Sequence, residues 1–147
     1  MEFGWINLFG LGIIVIMMVP NLIYARKAMP QDSSRQSKVL TIIEQIGRYG
    51  SMLFMVLPIL VWKFGFSSVE MLLIYSLGNA GLLIAYLVCW IFYFRRCTFA
   101  LGMLLAIFPA GIFLLSGLCL RHWLLVGAAL VFAVGHITIT YQNCKKR

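Results

Sequence analysis

Five long apolar runs divide this chain and constrain its fold more than any other feature. The runs are residues 5–25, 39–62, 69–94, 99–119 and 123–142. Each is long enough to cross a ~30 Å hydrocarbon core as an α-helix. The chain is 63% hydrophobic and only 11% charged, whereas soluble domains average about 25% charged residues. The sequence therefore predicts one integral membrane domain over residues 1–147 with an all-α fold, a polytopic transmembrane bundle of five helices.

Lysine and arginine residues are concentrated on one side of the predicted membrane. That side carries Arg26, Lys27, Arg35, Lys38, Arg95, Arg96, Lys145, Lys146 and Arg147. The other side carries Lys63 and Arg121. Because basic loops stay cytoplasmic, we predict a multi-pass plasma-membrane protein with its N-terminus outside and its C-terminus in the cytoplasm. Orientation and anionic lipid headgroups account for the net charge of +8, so the expected partner is the lipid bilayer and not a nucleic acid.

Two charged residues, Glu44 and Arg48, lie inside the second apolar run. At about 1.5 Å per residue, Arg48 lies roughly 15 Å from the interfacial Lys38 and close to the middle of the membrane. An ionisable group at that depth costs about 2.5–3.5 kcal/mol on insertion scales and usually faces the bundle interior with a partner. Because side chains at i and i+4 meet on a helix, we predict that Glu44 and Arg48 form an ion pair.

Other polar residues fall at similar depths in neighbouring spans, because successive helices cross in opposite directions. His136 lies about 9 Å inward from Gln142, at the depth of Glu44, and would contact Glu44 if the second and fifth helices are neighbours. Asn79 shares the midplane with Arg48. We predict a polar ligand-binding site composed of Glu44, Arg48, Asn21, Asn79, His136, Gln45 and Tyr24.

Sequence motifs for common enzyme chemistry are absent. The chain has no H-E-x-x-H or G-x-S-x-G motif, and its two histidines, His122 and His136, lie at opposite ends of one predicted helix. They cannot share a metal ion. We therefore predict no catalytic residue, no metal and no cofactor.

The aromatic residues support the predicted membrane limits. Trp5, Trp62 and Trp123 fall near the outer interface, and Trp90 and Tyr93 fall near the inner one. Tryptophan and tyrosine are enriched at both interfaces of a membrane protein. We interpret these residues as an anchoring belt.

The stretch Glu44-Gln45-Ile46-Gly47-Arg48-Tyr49-Gly50, with Pro20-Asn21-Leu22-Ile23-Tyr24-Ala25 before it, resembles a group of small bacterial multi-pass membrane proteins. The similarity covers most of the chain. That group has no assigned activity, so the resemblance implies a bacterial plasma membrane and no particular function.

The residues leave three classes of function open. The first is a ligand-binding or transport-like protein, with Glu44 and Arg48 contacting a polar or anionic group of a lipid or small molecule. The second is a structural or regulatory membrane subunit in which the same residues fix the bundle. The third is a membrane enzyme acting on a lipid, with Glu44 and His136 as acid and base, although no nucleophile is evident. A second copy of the chain stays open as a partner.

Overall fold

The computed structural model describes residues 6–27, 37–57, 59–61 and 65–145. These ranges contain five α-helices and no β-strand, which confirms the predicted all-α class. The helices are α1 (Leu8–Lys27), α2 (Lys38–Val56), α3 (Val69–Arg95), α4 (Phe99–Cys119) and α5 (Trp123–Lys145). Several positions used above lie outside the described residues: Trp5, Arg35, Trp62, Lys63, Lys146 and Arg147.

Four of the five described helices, α1, α3, α4 and α5, are long and apolar enough to cross a membrane. Their mean hydropathy lies between 1.9 and 2.2. α2 differs because its 19 residues include Lys38, Glu44 and Arg48. The four apolar helices are compatible with an integral membrane protein, and the charges of α2 require shielding by the helices around it.

The helices pack in the ring order α1–α2–α5–α4–α3, and α1 closes the ring against α3. The connections from α3 to α4 and from α4 to α5 are short, residues 96–98 and 120–122, so these neighbours run antiparallel. One end of the ring carries the last turns of α1, α3 and α5 and the first turns of α2 and α4. We call it the basic end, after Arg26, Lys27, Lys38, Arg95, Arg96 and Lys145.

Each of the three C-terminal helices has a side-chain cap at its N-terminus. Ser68 and Thr98 each accept a hydrogen bond from the backbone N–H three residues on, at 3.2 and 3.4 Å. The same role at α5 belongs to His122, whose Nδ1 accepts from the N–H of Leu125 at 3.3 Å. These bonds satisfy backbone donors that have no partner inside the helix.

α2 ends at Val56, earlier than the predicted limit at residue 62. Leu57 is extended, with φ −111° and ψ 136°. The cause is Pro58, because the ring of a proline disfavours helical geometry in the residue before it. Pro20 and Pro109 instead lie within α1 and α4.

The α2 and α5 backbones touch at two glycines. A Cβ atom added to Gly47 would lie 2.4 Å from the backbone nitrogen of Phe132, and one added to Gly135 would lie 2.8 Å from the Cα of Glu44. Both distances are too short for any larger residue. The glycines therefore allow the contact that places Glu44 directly against α5.

Candidate functional site

Glu44, Arg48 and His136 form one cluster between α2 and α5. Arg48 Nη2 donates a hydrogen bond to Glu44 Oε1, as the i, i+4 spacing predicts. His136 Nδ1 lies 3.1 Å from the same oxygen. The Glu44 side chain is only 6% exposed, whereas that of Arg48 is 38% exposed. The carboxylate is therefore enclosed by its two partners, while much of the guanidinium is accessible.

The tautomer of His136 follows from this contact. An ionised carboxylate only accepts hydrogen bonds, so the imidazole proton of a neutral His136 lies on Nδ1. The ring is held in place by Phe132, which stacks on it with centroids 4.8 Å apart and an interplanar angle of 17°. Nε2 is then the nitrogen that can accept a further proton.

A cleft of about 330 Å³ lies beside the cluster at the basic end of the ring. All five helices contribute to its walls. The lining residues are Asn21, Tyr24, Thr41, Glu44, Arg48, Trp90, Tyr93, Gly102, Leu105, Ala106, His136, Ile139, Thr140 and Asn143. Five of the seven predicted site residues therefore meet in one space, namely Asn21, Tyr24, Glu44, Arg48 and His136.

Three aromatic rings form one wall of the cleft. Tyr24 of α1 lies 5.4 Å from Trp90 and 5.9 Å from Tyr93, and these two α3 rings are 5.6 Å apart. Trp90 is 6% exposed and Tyr93 is 8% exposed. The structure thus packs both α3 side chains inside the bundle, which differs from the interfacial belt expected of them.

Asn21 is fixed at the cleft by α3. Its Nδ2 donates to the hydroxyl of Tyr86 at 2.7 Å and to the carbonyl of Met17 at 3.0 Å. The bond to Tyr86 joins α1 to α3 one turn deeper than Tyr24, and the bond to Met17 lies within α1. They place an amide opposite the charged cluster of α2.

A smaller inner chamber of about 80 Å³ continues from the cleft towards the middle of the bundle. The two spaces share Asn21, Arg48, Leu105 and His136. The remaining walls of the chamber are mostly apolar: Met17, Met18, Met52, Tyr86, Pro109, Phe113 and Phe132. Arg48 and His136 therefore stand where a polar space meets an apolar one.

Two predicted site residues lie elsewhere. Asn79 is fully buried, and its Nδ2 lies 3.1 Å from the Ser116 hydroxyl of α4. Gln45 is exposed on the outer side of α2, beside Ile42 and Ile46. Depth alone grouped Asn79 with Arg48 and Gln45 with Glu44, but the rotation of each helix turns both side chains away from the cleft.

The two α3 residues of the aromatic wall, Trp90 and Tyr93, were missed because they matched the pattern of interfacial anchors. A different signal was present in the spacing of α3. Its buried residues are Tyr75, Asn79, Leu83, Tyr86, Trp90 and Tyr93, and these positions repeat every three or four residues along one face. In a membrane helix, polar and amphipathic side chains on a single face mark the side that faces other helices.

The chemistry available to the cluster is ionic binding and proton exchange. Arg48 has five N–H donors and a planar shape suited to carboxylates and phosphates. Glu44 and His136 can share a proton. Among the residues that the structure describes, no group of three or more His, Cys, Asp and Glu side chains could hold a metal ion.

Comparison of the chain with protein-family models, with curated proteins and with solved structures finds no match. The proposed function therefore rests on the geometry of the site.

Proposed function

We propose that this protein is an integral membrane protein that binds a small organic acid in the cleft at its basic end. One observation carries the proposal. Arg48 is held on one side by a buried carboxylate, yet its side chain is 38% exposed and lines both the cleft and the chamber. An arginine that served only to neutralise Glu44 would be expected to be enclosed on every side, because an open guanidinium in a membrane is costly.

The surroundings of Arg48 favour an acid that also has an apolar part. A carboxylate can bind the guanidinium through two parallel hydrogen bonds. Three methionines and two phenylalanines surround the adjoining chamber, and methionine side chains adapt to ligands of irregular shape. An alkyl or aryl acid satisfies both parts of the site, whereas a fully polar ion satisfies only the first.

The direction of access follows from the charge distribution. The cleft lies at the end of the ring that carries most of the described basic residues. By the positive-inside rule that end is cytoplasmic, so the acid enters from the cytoplasm. This is a ligand-binding or transport-like role in the plasma membrane.

Hexanoate binding tests the proposal. The protein would be placed in lipid nanodiscs and titrated by calorimetry with hexanoate, hexan-1-ol and hexylammonium, with empty nanodiscs as the blank. We expect saturable binding of hexanoate only. The double variant Glu44→Gln with Arg48→Gln removes the cation while keeping the charge balanced, and should not bind. Arg96→Gln removes one exposed positive charge at the same end and should bind like wild type.

A structural or regulatory subunit is the second candidate function. It is favoured by the contact of the α2 and α5 backbones beside the ion pair, which is the arrangement that a packing role requires. In that case hexanoate would give no heat above the blank. Equal binding of hexanoate and hexan-1-ol would also contradict the proposed function.

A further inference from the structure

We propose that the cleft takes up one proton with each monoanion that it binds, so that the ligand enters the membrane domain as a neutral acid overall. The inference rests on the proposed function. Its starting point is that a single carboxylate oxygen, Glu44 Oε1, bonds both Arg48 and His136. Any anion that binds Arg48 competes with Glu44 for the only cation in the cluster.

The charge balance of the cluster explains the coupling. With His136 neutral, Glu44 and Arg48 sum to zero. A bound monoanion would bring the sum to −1 inside a low-dielectric bundle, where an unbalanced charge is strongly disfavoured. One added proton restores the sum to zero.

His136 is placed to accept that proton without any rearrangement. Its Nδ1 already lies against Glu44, and its ring lines the cleft at the basic end. When Nε2 is protonated, the imidazolium keeps its bond to Glu44. Glu44 then has a cation of its own, and the guanidinium of Arg48 is released to the ligand.

Apart from Glu44, which shares the proton with His136, no described group in the two spaces takes it up. The remaining titratable residues that line them are tyrosines: Tyr24 from α1, and Tyr86 and Tyr93 from α3. A tyrosine hydroxyl is neutral near pH 7 and does not gain a proton there. α4 contributes only Gly102, Leu105, Ala106, Pro109 and Phe113 to these walls, and none of them titrates.

Calorimetry in two buffers measures the coupling directly. Hexanoate would be titrated into the nanodisc-embedded protein in triethanolamine and in Tris, two buffers without a competing oxyanion whose heats of ionisation differ, at about one pH unit above the ordinary imidazole pKa of ~6.5. The difference in heat gives the number of protons taken up. We expect close to one for wild type and close to zero for His136→Gln. The control His122→Asn, which alters the other histidine, should behave like wild type.

The affinity provides a second, independent readout. If each anion brings one proton, the dissociation constant for hexanoate should rise about tenfold per pH unit, starting about one unit above the ordinary imidazole pKa of ~6.5. Glu44→Gln removes the competing carboxylate, so that variant should bind hexanoate more tightly, without proton uptake and without this slope. It also serves as the test if His136→Gln fails to fold.

The proton coupling and the proposed function are contradicted by different results. Hexanoate binding with the same heat in both buffers would overturn the proton coupling and leave the proposed function standing. Proton uptake that persists unchanged in Glu44→Gln would also overturn it. A wild-type protein that gives no binding in either buffer would overturn both.

Discussion

Glu44 is a carboxylate at the point where two helix backbones touch, and its surroundings decide whether it can exist as an ion. Removing it from water costs several kcal/mol, and Arg48 and His136 are the groups that offset this cost. The 38% exposure of Arg48 shows that the pair is not symmetrical. Glu44 depends on Arg48 more than Arg48 depends on Glu44, because the guanidinium can also reach the cleft.

Charge-unbalancing substitutions should therefore differ in severity. Arg48→Gln leaves Glu44 buried with only His136, and should lower the free energy of unfolding by about 3 kcal/mol, the lower end of the range for breaking a buried pair. Glu44→Gln leaves the more accessible Arg48 and should cost less. The double variant Glu44→Gln with Arg48→Gln should be milder than Arg48→Gln alone. Melting curves in detergent check this order, and equal losses in all three variants would show that the two groups do not stabilise each other.

His122, at the other end of α5, lies outside the helices and gives a prediction for pH. It is fully buried between α4 and α5. Burial lowers its pKa, and backbone hydrogen bonding with Leu57 opposes part of that shift. Since the unfolded chain binds the proton more tightly than the folded one, stability is highest above about pH 6.5. It should fall as the pH drops through 6.5 towards the folded value.

The variant His122→Asn isolates this effect. Asparagine keeps an acceptor for the first turn of α5 but does not titrate. We expect the melting temperature of wild type to fall between about pH 7 and pH 5, and that of His122→Asn to fall less. Parallel curves for the two proteins would contradict the assignment of the acid sensitivity to His122.

At the scale of elements, the contact of α2 with α5 determines the site. The closest approaches are at Gly135, which packs against Glu44, and at Gly47, which lies one turn after Glu44 and packs against Phe132. An α2 displaced outward would separate Glu44 from His136 and widen the cleft. The glycines are therefore part of the site's geometry although neither lines the cleft.

Gly47→Ala should be damaging for this reason. Its new Cβ would lie 2.4 Å from a backbone nitrogen of α5, and a backbone cannot yield as a flexible side chain can. We expect a loss of about 1–3 kcal/mol, the cost of overpacking, and loss of the His136 contact. Gly127→Ala on α5 is the matched control because no atom lies within 4 Å of its added Cβ. Its stability should be unchanged or higher by up to about 1 kcal/mol.

The sequence predicted those parts of the fold and site that depend on local spacing. The five helices follow from the apolar runs, and the Glu44–Arg48 contact follows from an i, i+4 interval on one helix. The contact with His136 required α2 and α5 to be neighbours, and no local pattern determines which helices of a bundle are adjacent. The position of His136 in its span predicted its depth in the bundle. Its proximity to Glu44 depends on the close contact of α2 and α5 at Gly47 and Gly135.

Helix rotation explains why two predicted site residues lie outside the cleft. Asn79 and Gln45 have the depth expected of site residues, but Asn79 faces Ser116 and Gln45 faces outward. Rotation about the helix axis depends on which residues each neighbour presents, and one sequence does not reveal those pairings. Trp90 and Tyr93 show the opposite error: they were predicted to lie at the membrane interface but line the cleft. Aromatic residues near a span end suit both an interface and an interior.

At the scale of the whole molecule, charge is unevenly distributed between the two ends of the ring. Basic residues at the ends of α1, α3 and α5 and at the start of α2 all lie at the same end as the cleft. Among described residues, the opposite end carries Arg121 and Glu70. If the basic end is cytoplasmic, as the positive-inside rule predicts, the proposed ligand and proton would reach Arg48 and His136 from the cytoplasm.

Labelling in intact cells tests that orientation. Cys97 is exposed in the α3–α4 connection at the basic end, and Ser67 is exposed just before α3 at the opposite end. With the other cysteines replaced by serine, a membrane-impermeant maleimide should modify Ser67→Cys in whole cells, because that end faces outward under the positive-inside rule. Native Cys97 should react only after the membrane is permeabilised. The reverse pattern would place the cleft mouth outside the cell, so that external rather than cytoplasmic acid would reach Arg48.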